Sequence, residues 1–353
     1  METNDIINSF VKLGNHIRSF LLADKNGKIE LKLADAVQQA EIQNPWFTKD
    51  NIYYALNVIS EQLTENNLLE WIKKYPELKL NKNPKNIGVV MAGNIPMIGF
   101  HDFICVLISG NKFIGKLSSK DNILLKKIAD ILISIDDRCK DRIIFETGFL
   151  KNFNAVIATG SDNSSMYFEQ YFKNVPNIIR KNRNSVAILT GQENEDELKK
   201  LGADIFTYFG LGCRSVSKLY VPENYDFTHF FNAIKHFSKI KMHNKYTNNY
   251  LYNQTVYLMN NIRHLDNGFV ILKEDNDFSS PISVIFYEYY KNIRNLYGYL
   301  ESNSTKLQCV VTNADGISNS VLIGETQKTK LWNYADNVDT IKFLTTLNNS
   351  YGL

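Results

Sequence analysis

From Ile87 onward, short apolar segments alternate with longer segments that show helical periodicity. The apolar segments are too short for buried helices, and most are followed by glycine, asparagine, serine or lysine. Alternating strands and helices of this kind predict a parallel sheet that is covered by helices on both faces. The sequence therefore indicates an α/β fold, and it places the polar residues that follow each strand at one edge of the sheet.

The pattern predicts nine strands: Ile87–Met91, Lys112–Leu117, Arg142–Glu146, Ala155–Ala158, Ser185–Leu189, Lys218–Val221, Phe269–Lys273, Ser283–Tyr289 and Leu307–Thr312. The helices predicted between them are Pro96–Ser109, Asp121–Ile135, Ser161–Lys173, Glu195–Phe209, Phe227–Ile240 and Tyr246–Asn260. The chain is divided into a helical N-terminal segment (1–84), a Rossmann-type nucleotide-binding domain (85–202), a second α/β domain (203–315) and a C-terminal segment (316–353). The last segment, which has little regular pattern before Thr340, is expected to return to the first domain or to a partner subunit.

Composition and charge exclude several classes of protein. With 44% hydrophobic and 22% charged residues, the 353-residue chain is typical of a soluble globular protein. Forty basic residues against 37 acidic residues give a net charge of +3, which is too balanced for a nucleic-acid track or a membrane-binding surface. The longest apolar run, Ile87 to Phe100, is interrupted by Asn94 and Pro96, so no membrane span is expected.

The four cysteines are far apart and form no CxxC pair, which argues against both a zinc site and a disulfide framework. The N-terminus begins Met-Glu-Thr-Asn-Asp and shows no secretory signal. Together these features predict a cytoplasmic protein with reduced thiols and no metal.

Cys213 is the candidate nucleophile. It follows Gly210 and Gly212 in a turn before an apolar strand, and glycines let backbone N–H groups approach a thiolate and an oxyanion. The alternative is that Cys213 is a small buried apolar residue, as many cysteines are.

Three other candidate motifs follow strands of the predicted nucleotide-binding domain. Asn94 lies in the turn after the first strand, where it either donates its amide N–H to a reacting carbonyl or caps the next helix. Lys116, Ser118 and Ser119 lie at the end of the second strand and suit phosphate or ribose oxygens, or else form a solvated helix cap. Thr159, Gly160 and Ser161 repeat the theme at a helix N-terminus, although no GxGxxG fingerprint is present.

In this order, these motifs resemble the aldehyde dehydrogenase superfamily, and within it the acyl-CoA reductase family named after the luminescence fatty-acid reductase. The resemblance extends over roughly residues 85 to 345 and is carried by Gly88–Phe103, Lys116–Asp121, Gly210–Pro222, Ser279–Tyr290 and Tyr334–Thr340. It implies an aldehyde dehydrogenase-like fold with Cys213 as the acyl-accepting nucleophile. It also implies that Asn94 and the Cys213 backbone N–H hold the oxyanion.

The resemblance further assigns Lys116 to the adenosine ribose and the Thr159-Gly160-Ser161 turn to the pyrophosphate side. Many relatives carry a glutamate three residues after this lysine, where this chain has Ser119. A serine leaves room for a 2′-phosphate that a carboxylate would repel, so NADPH is expected rather than NADH. The segment 180–187, which corresponds to the water-activating glutamate segment of oxidative relatives, contains no carboxylate.

The expected reaction is therefore the NADPH-dependent reduction of a fatty acyl thioester, on CoA or a carrier, to the aldehyde through an acyl-cysteine. The alternatives are an acyl-phosphate reductase of the same superfamily and a non-catalytic nucleotide-binding scaffold subunit. A homo-oligomer or an acyl-transfer protein is a possible partner.

Overall fold

A computed structural model describes residues 3–25, 31–80, 83–317 and 320–349. The chain divides into two compact units. Unit 1 contains the chain up to Lys181 and again from Lys330, and unit 2 contains Asn182–Thr329. The four-segment division drawn from the sequence stays a prediction, because compactness does not test which segments fold independently.

Unit 1 begins with four helices: α1 (Thr3–Lys25), α2 (Leu31–Gln43), α3 (Lys49–Gln62) and α4 (Glu65–Ile72). Apolar residues of α1 recur every three or four positions, as at Ile6, Phe10, Leu13 and Ile17, and all four side chains are buried. The helical periodicity of this segment thus reflects a helix face that enters the core of unit 1.

A five-stranded sheet forms the centre of unit 1: β1 (Asn86–Val90), β2 (Lys112–Lys116), β3 (Ile143–Phe145), β4 (Ala155–Thr159) and β5 (Asn177–Arg180). All its strand pairs are parallel, and the spatial order is β3-β2-β1-β4-β5. The connecting helices are α5 (Phe100–Ile108), α6 (Leu124–Ile135) and α7 (Asp162–Tyr171). The predicted parallel sheet is confirmed.

Three elements of unit 1 differ from the prediction, and one of them is α6, which begins at Leu124 rather than at Asp121. The helix expected from Pro96 begins only at Phe100, because Met97 has a left-handed backbone (φ 57°) that cannot belong to an α-helix. Strand β5 was not predicted. It is short, and its residue Arg180 is charged but 5% exposed, so its sequence does not read as a buried strand.

Unit 2 is built on a six-stranded sheet with the order β11-β6-β7-β10-β9-β8. Its strands are β6 (Asn184–Ile188), β7 (Val216–Pro222), β8 (Leu265–Asp266), β9 (Ile271–Glu274), β10 (Val284–Tyr290) and β11 (Leu307–Val311). Its helices are α8 (Glu195–Phe206), α9 (Phe227–Ile234), α10 (Asn244–Met259) and α11 (Ile293–Ser302). Only the β8–β9 pair is antiparallel, so the expected second α/β unit is confirmed.

Three helices of unit 2 differ from the prediction. Helix α8 ends at Phe206 rather than Phe209, since Tyr208 and Phe209 are left-handed. Helix α9 ends at Ile234, and a separate 3-10 helix follows over Lys235–Met242. Helix α11 was not predicted.

The C-terminal segment from Lys330 belongs to unit 1 and ends in α12 (Thr340–Asn349). Leu331, Ile341 and Leu344 are buried in the same apolar cluster as α1 and α5. The Tyr334 hydroxyl accepts a hydrogen bond from Trp71 Nε1 at 2.7 Å. These contacts make Leu331, Tyr334, Ile341 and Leu344 part of the core of unit 1.

Candidate active site

The four cysteines differ in burial. Cys105, Cys139 and Cys309 are buried, whereas Cys213 is half-buried, and all four are thiols rather than disulfides. Burial raises the pKa of Cys105 well above its usual value, raises that of Cys139 to about 11 and also raises that of Cys309. Because the thiolate is the nucleophile, Cys213 is the best candidate among the four.

The backbone before Cys213 adopts a rare conformation. Tyr208, Phe209 and Gly210 are consecutive left-handed residues with φ of 55°, 59° and 74°. A glycine accepts this conformation readily, but for tyrosine and phenylalanine it costs roughly 1–2 kcal/mol each. Such strain is typical of turns that present functional groups.

Two side chains fix the segment immediately around Cys213. Ser185 Oγ, on β6, donates a hydrogen bond to the Cys213 carbonyl oxygen at 2.9 Å. Arg214 Nη1 lies 3.4 Å from the sulfur of Cys309. The chain at Cys213 and at the next residue is therefore tied to strands β6 and β11 of the unit 2 sheet.

A cavity in unit 2 is formed partly by this turn. Phe209 and Gly210 line it from before Cys213, and Val216 and Ser217 line it from β7 after the thiol. The cavity encloses about 400 Å³ of empty space, part of it open to solvent. Its further lining combines apolar side chains with polar groups: Ile205, Phe206, Tyr246, Val270, Ser280, Pro281, Ile282, Ser283, Val284 and Ile285.

The other candidate residues lie at one edge of the unit 1 sheet. The first strand, β1, is the central strand of the order β3-β2-β1-β4-β5. The chain adds β2 and β3 on one side of it and then β4 and β5 on the other side. The point where the order reverses lies between β1 and β4, and in open parallel sheets this point is where ligands bind. Asn94 follows β1, and Thr159–Ser161 follow β4, so the sheet brings both motifs to the reversal.

The turn that carries Asn94 packs against the turn after β2. Gly93 has no side chain, and a Cβ at this position would lie 2.6 Å from Ser118 Oγ. The two turns are joined by Asp121 Oδ2, which accepts a hydrogen bond from the Met97 backbone N–H at 2.8 Å. Asn94 itself is exposed.

The turn after β2 is held by the N-terminal helices. Gln43 Nε2 donates to the Ser119 carbonyl oxygen at 2.9 Å, and Asn44 Nδ2 donates to the Lys120 carbonyl oxygen at 3.3 Å. Ser118 Oγ accepts from the Lys120 backbone N–H at 3.2 Å. The backbone of this turn is therefore fixed, while the Ser119 residue is exposed.

Two further features lie at this edge. Lys116 Nζ lies 5.3 Å from the ring centroid of Phe149, an aromatic residue that is 75% exposed. Ser161 caps α7 through a hydrogen bond from the Ser164 backbone N–H, and a Cβ at Gly160 would lie 2.8 Å from the Ser164 Cβ. The neighbouring serines explain why glycine occupies positions 93 and 160, and the Lys116 ammonium supplies the positive charge that a phosphate-bearing nucleotide needs.

Sequence reasoning missed three residues at this edge: Asp121, Gln43 and Phe149. In the sequence Asp121 is only the last residue of the Lys116–Asp121 motif. Gln43 is 76 residues away from Ser119, whose carbonyl oxygen accepts its hydrogen bond. Phe149 follows a glycine after β3, and that position at a strand end was the available signal. The segment corresponding to the water-activating glutamate starts at Arg180, which is buried in an ion pair with Asp102.

The described residues contain no group of histidine, cysteine, aspartate and glutamate that could hold a metal ion. The helices in the described part of the chain are all too short or too polar to cross a membrane.

Comparison with solved structures shows that the protein has the aldehyde dehydrogenase fold. An aldehyde dehydrogenase from Bacillus cereus, solved with NAD+, has a TM-score of 0.61 at 12% identity over 90% of this chain and 73% of that chain. Indole-3-acetaldehyde dehydrogenase from P. syringae has a TM-score of 0.65 at 10% identity over 91% and 74% of the two chains. An NADP-dependent enzyme from E. coli has a TM-score of 0.63 at 12% identity over 92% and 78%.

Within this fold the family is also shown. The model of the acyl-CoA reductase (LuxC) family matches residues 21–319, and the chain belongs to that family. A direct search of curated protein sequences found no match. The family and the fold together make the protein an oxidoreductase of the aldehyde dehydrogenase type, in agreement with the resemblance seen in the sequence.

Proposed function

We propose that the protein reduces an acyl thioester, carried by CoA or by a carrier protein, to the aldehyde, with NADPH as the reductant. The observation that carries this proposal is that Cys213 is the one half-buried thiol of four and closely follows the strained left-handed residues 208–210. The family, described as acyl-CoA reductase, supports a thioester as the substrate.

The proposed mechanism begins with attack of the Cys213 thiolate on the carbonyl carbon. Asn94 and the Cys213 backbone N–H donate to the oxyanion, and the bond to the carrier sulfur breaks, so that the carrier thiol leaves and Cys213 carries the acyl group. When bound, the nicotinamide cofactor supplies the hydride that reduces the acyl carbon. The bond between the carbon of the resulting thiohemiacetal and the Cys213 sulfur then breaks as the hydroxyl proton is lost, which releases the aldehyde and returns Cys213 to the thiolate. The carrier sulfur, which left as a thiolate, takes up a proton to become the thiol.

The cavity beside the Cys213 turn supports a fatty acyl group as the substrate. Part of its wall is formed by apolar side chains, and burial of each CH₂ group against that part contributes roughly 0.8 kcal/mol to binding. The acyl chain is therefore proposed to lie along Phe209 and its neighbours.

The proposed cofactor site comprises Lys116, Ser118, Ser119, Thr159, Gly160 and Ser161. NADPH is favoured over NADH because the exposed Ser119 leaves space and no negative charge beside the ribose. Solved neighbours bind NAD+ or are NADP-dependent, which supports a nicotinamide cofactor of either kind. A cytoplasmic location and a partner subunit or acyl-transfer protein remain part of the proposal.

The test is to incubate the protein with radiolabelled acyl-CoA of several chain lengths, add NADPH and map the label. We expect label on Cys213 that NADPH releases as aldehyde, with Cys213→Ala unlabelled. The matched control is Cys139→Ala, which removes a buried thiol and should label as the wild type does.

Each other outcome contradicts the proposal in a defined way. Labelling from acyl phosphate but not from acyl-CoA would indicate the acyl-phosphate reductase. NADPH binding without any acyl-cysteine would indicate the scaffold subunit, and label on another residue would remove Cys213 from its role.

A further inference from the structure

The turn that carries Asn94 depends on a buried carboxylate from the next connection. Met97 has φ 57°, a left-handed conformation that a side chain such as methionine rarely adopts. Its N–H donates to Asp121 Oδ2 at 2.8 Å, and its carbonyl oxygen accepts from Phe100 N at 2.9 Å, where α5 begins. Asp121 therefore acts at the point where the chain passes from the Asn94 turn into the helix.

The buried position of the Asp121 carboxyl is energetically unfavourable. It is 7% exposed, and its second oxygen, Oδ1, has no hydrogen-bond partner in the described part of the chain. Burial raises the pKa of this carboxyl to about 6. A carboxylate that is buried with one oxygen unsatisfied destabilises the fold, so its place needs a compensating role.

Asp121 does not cap the helix that follows it, which is the usual structural role of an aspartate at such a position. Helix α6 begins at Leu124, and its N-cap, Ile123, has no side-chain hydrogen bond. The Asp121 carboxylate thus accepts from the first connection of the sheet instead of capping its own helix. The two turns pack so closely that a Cβ at position 93 would clash with Ser118. This close packing brings Asp121 within hydrogen-bonding distance of the Met97 N–H.

We propose that Asp121 is a positioning residue for the acylation step: its hydrogen bond to Met97 holds the turn in which Asn94 is presented. The inference rests on the proposed function, because Asp121 acts through Asn94. It assigns no contact between Asp121 and the substrate. Without the bond, the strained residue relaxes and the turn loses its defined geometry.

The experiment compares Asp121→Ala, which removes the acceptor, with Asp121→Asn, whose amide oxygen still accepts from Met97. Asp130→Ala is the matched control, because Asp130 is an exposed aspartate on α6. The first readout is hydrogen exchange of backbone amides over residues 92–99. We expect exchange at least tenfold faster in Asp121→Ala, and wild-type exchange in Asp121→Asn and Asp130→Ala.

The second readout is the rate at which Cys213 is acylated. Loss of one oxyanion donor costs about 100-fold or more, so Asn94→Ala is expected to lower the rate by that factor and Asp121→Ala by about tenfold or more. In the Asn94→Ala background, Asp121→Ala should cause no further loss, because it acts through Asn94. Adding Met97→Gly should restore part of the rate in Asp121→Ala, since glycine adopts the left-handed conformation without strain.

Several results would overturn the inference. Wild-type hydrogen exchange and a wild-type acylation rate in Asp121→Ala would do so and would leave the proposed function intact. The same holds if Asp121→Ala lowers the acylation rate by the same factor in the Asn94→Ala background as in the wild type. If Asp121→Ala does not fold, a tenfold loss in Asp121→Asn, which keeps the acceptor, would also exclude the hydrogen bond as the cause. If the wild type forms no acyl-Cys213, the proposed function fails and the positioning role fails with it, whatever hydrogen exchange shows for the turn.

Discussion

Single residues of this protein hold conformations that their neighbours enforce. Tyr208 and Phe209 lie in the left-handed region before Cys213, and Met97 does so after Asn94. None of these three residue types favours that region, so each needs contacts from elsewhere in the fold. Left-handed non-glycine residues therefore occur close to both proposed catalytic residues.

Ser119→Glu tests the cofactor preference at the scale of one side chain. A carboxylate at this exposed position would repel a 2′-phosphate, so we expect the ratio of NADPH to NADH affinity to fall by about tenfold or more, or ~1.4 kcal/mol. Fluorescence titration with both cofactors and with 2′,5′-ADP measures the ratio. Ser134→Glu, on the exposed end of α6, should leave it unchanged, and a wild type that prefers NADH would contradict the assignment.

At the scale of elements, the helix that leads to Cys213 has a well-formed start and a strained end. Asn194 and Glu197 form a capping box at the N-terminus of α8, and Glu197 also accepts from Asn313 Nδ2 at 2.7 Å. The C-terminus runs into the left-handed turn. The N-terminal cap therefore helps to hold the helix against the strain at its other end.

Asn194→Ala is expected to lower the free energy of unfolding by about 1 kcal/mol, because the Glu197 backbone N–H loses the Asn194 side-chain oxygen that accepts its hydrogen bond. Chemical denaturation measures the loss. The same substitution inside a helix, Asn57→Ala in α3, should be neutral or slightly stabilising, since alanine has the higher helix propensity. Equal losses in both variants would show that the cap contributes nothing of its own.

At the scale of the whole molecule, the two ends of the chain complete unit 1. Helix α1 and the segment from Lys330 both contribute to one apolar cluster around α5 and the sheet. Tyr75 donates to Asp339 Oδ2 at 2.8 Å and shares a hydrogen bond with Tyr334, which adds buried polar contacts to that packing. The proposed cofactor edge therefore depends on residues far away in sequence.

A chain that ends at Thr329 is expected to lose a folded unit 1. It would lack Leu331, Tyr334, Ile341 and Leu344, all buried, and loss of each costs roughly 2–5 kcal/mol. The sum is of the order of the whole stability of a typical domain. Hydrogen exchange over residues 86–116 and NADPH titration measure the effect, and a chain that ends at Asn349 should behave as the full chain. Retained protection of β1 and β2 in the shorter truncation would contradict this.

Much of the fold was accessible from local patterns. Most strands were predicted within one or two residues, because short apolar segments between turn residues identify strands wherever they pair. Strands β5 and β8 and helix α11 were missed, since both strands are short, β5 has polar residues at its two ends, and polar residues are frequent in the helix. Two helix boundaries were misplaced at left-handed residues. Helix α5 begins after Met97, later than predicted, and helix α8 ends before Tyr208, earlier than predicted.

The sequence by itself determined the class of fold, the order of strands and helices, the Cys213 turn and the polar motifs after β1, β2 and β4. These follow from periodicity and from residue types that are neighbours in the chain. Only the tertiary structure decided which strands lie side by side, which thiols are buried, and that Asp121 holds Met97 while Gln43 holds the Ser119 turn. Such contacts join residues 24 and 76 positions apart, and they exist only once long-range packing has brought those residues together.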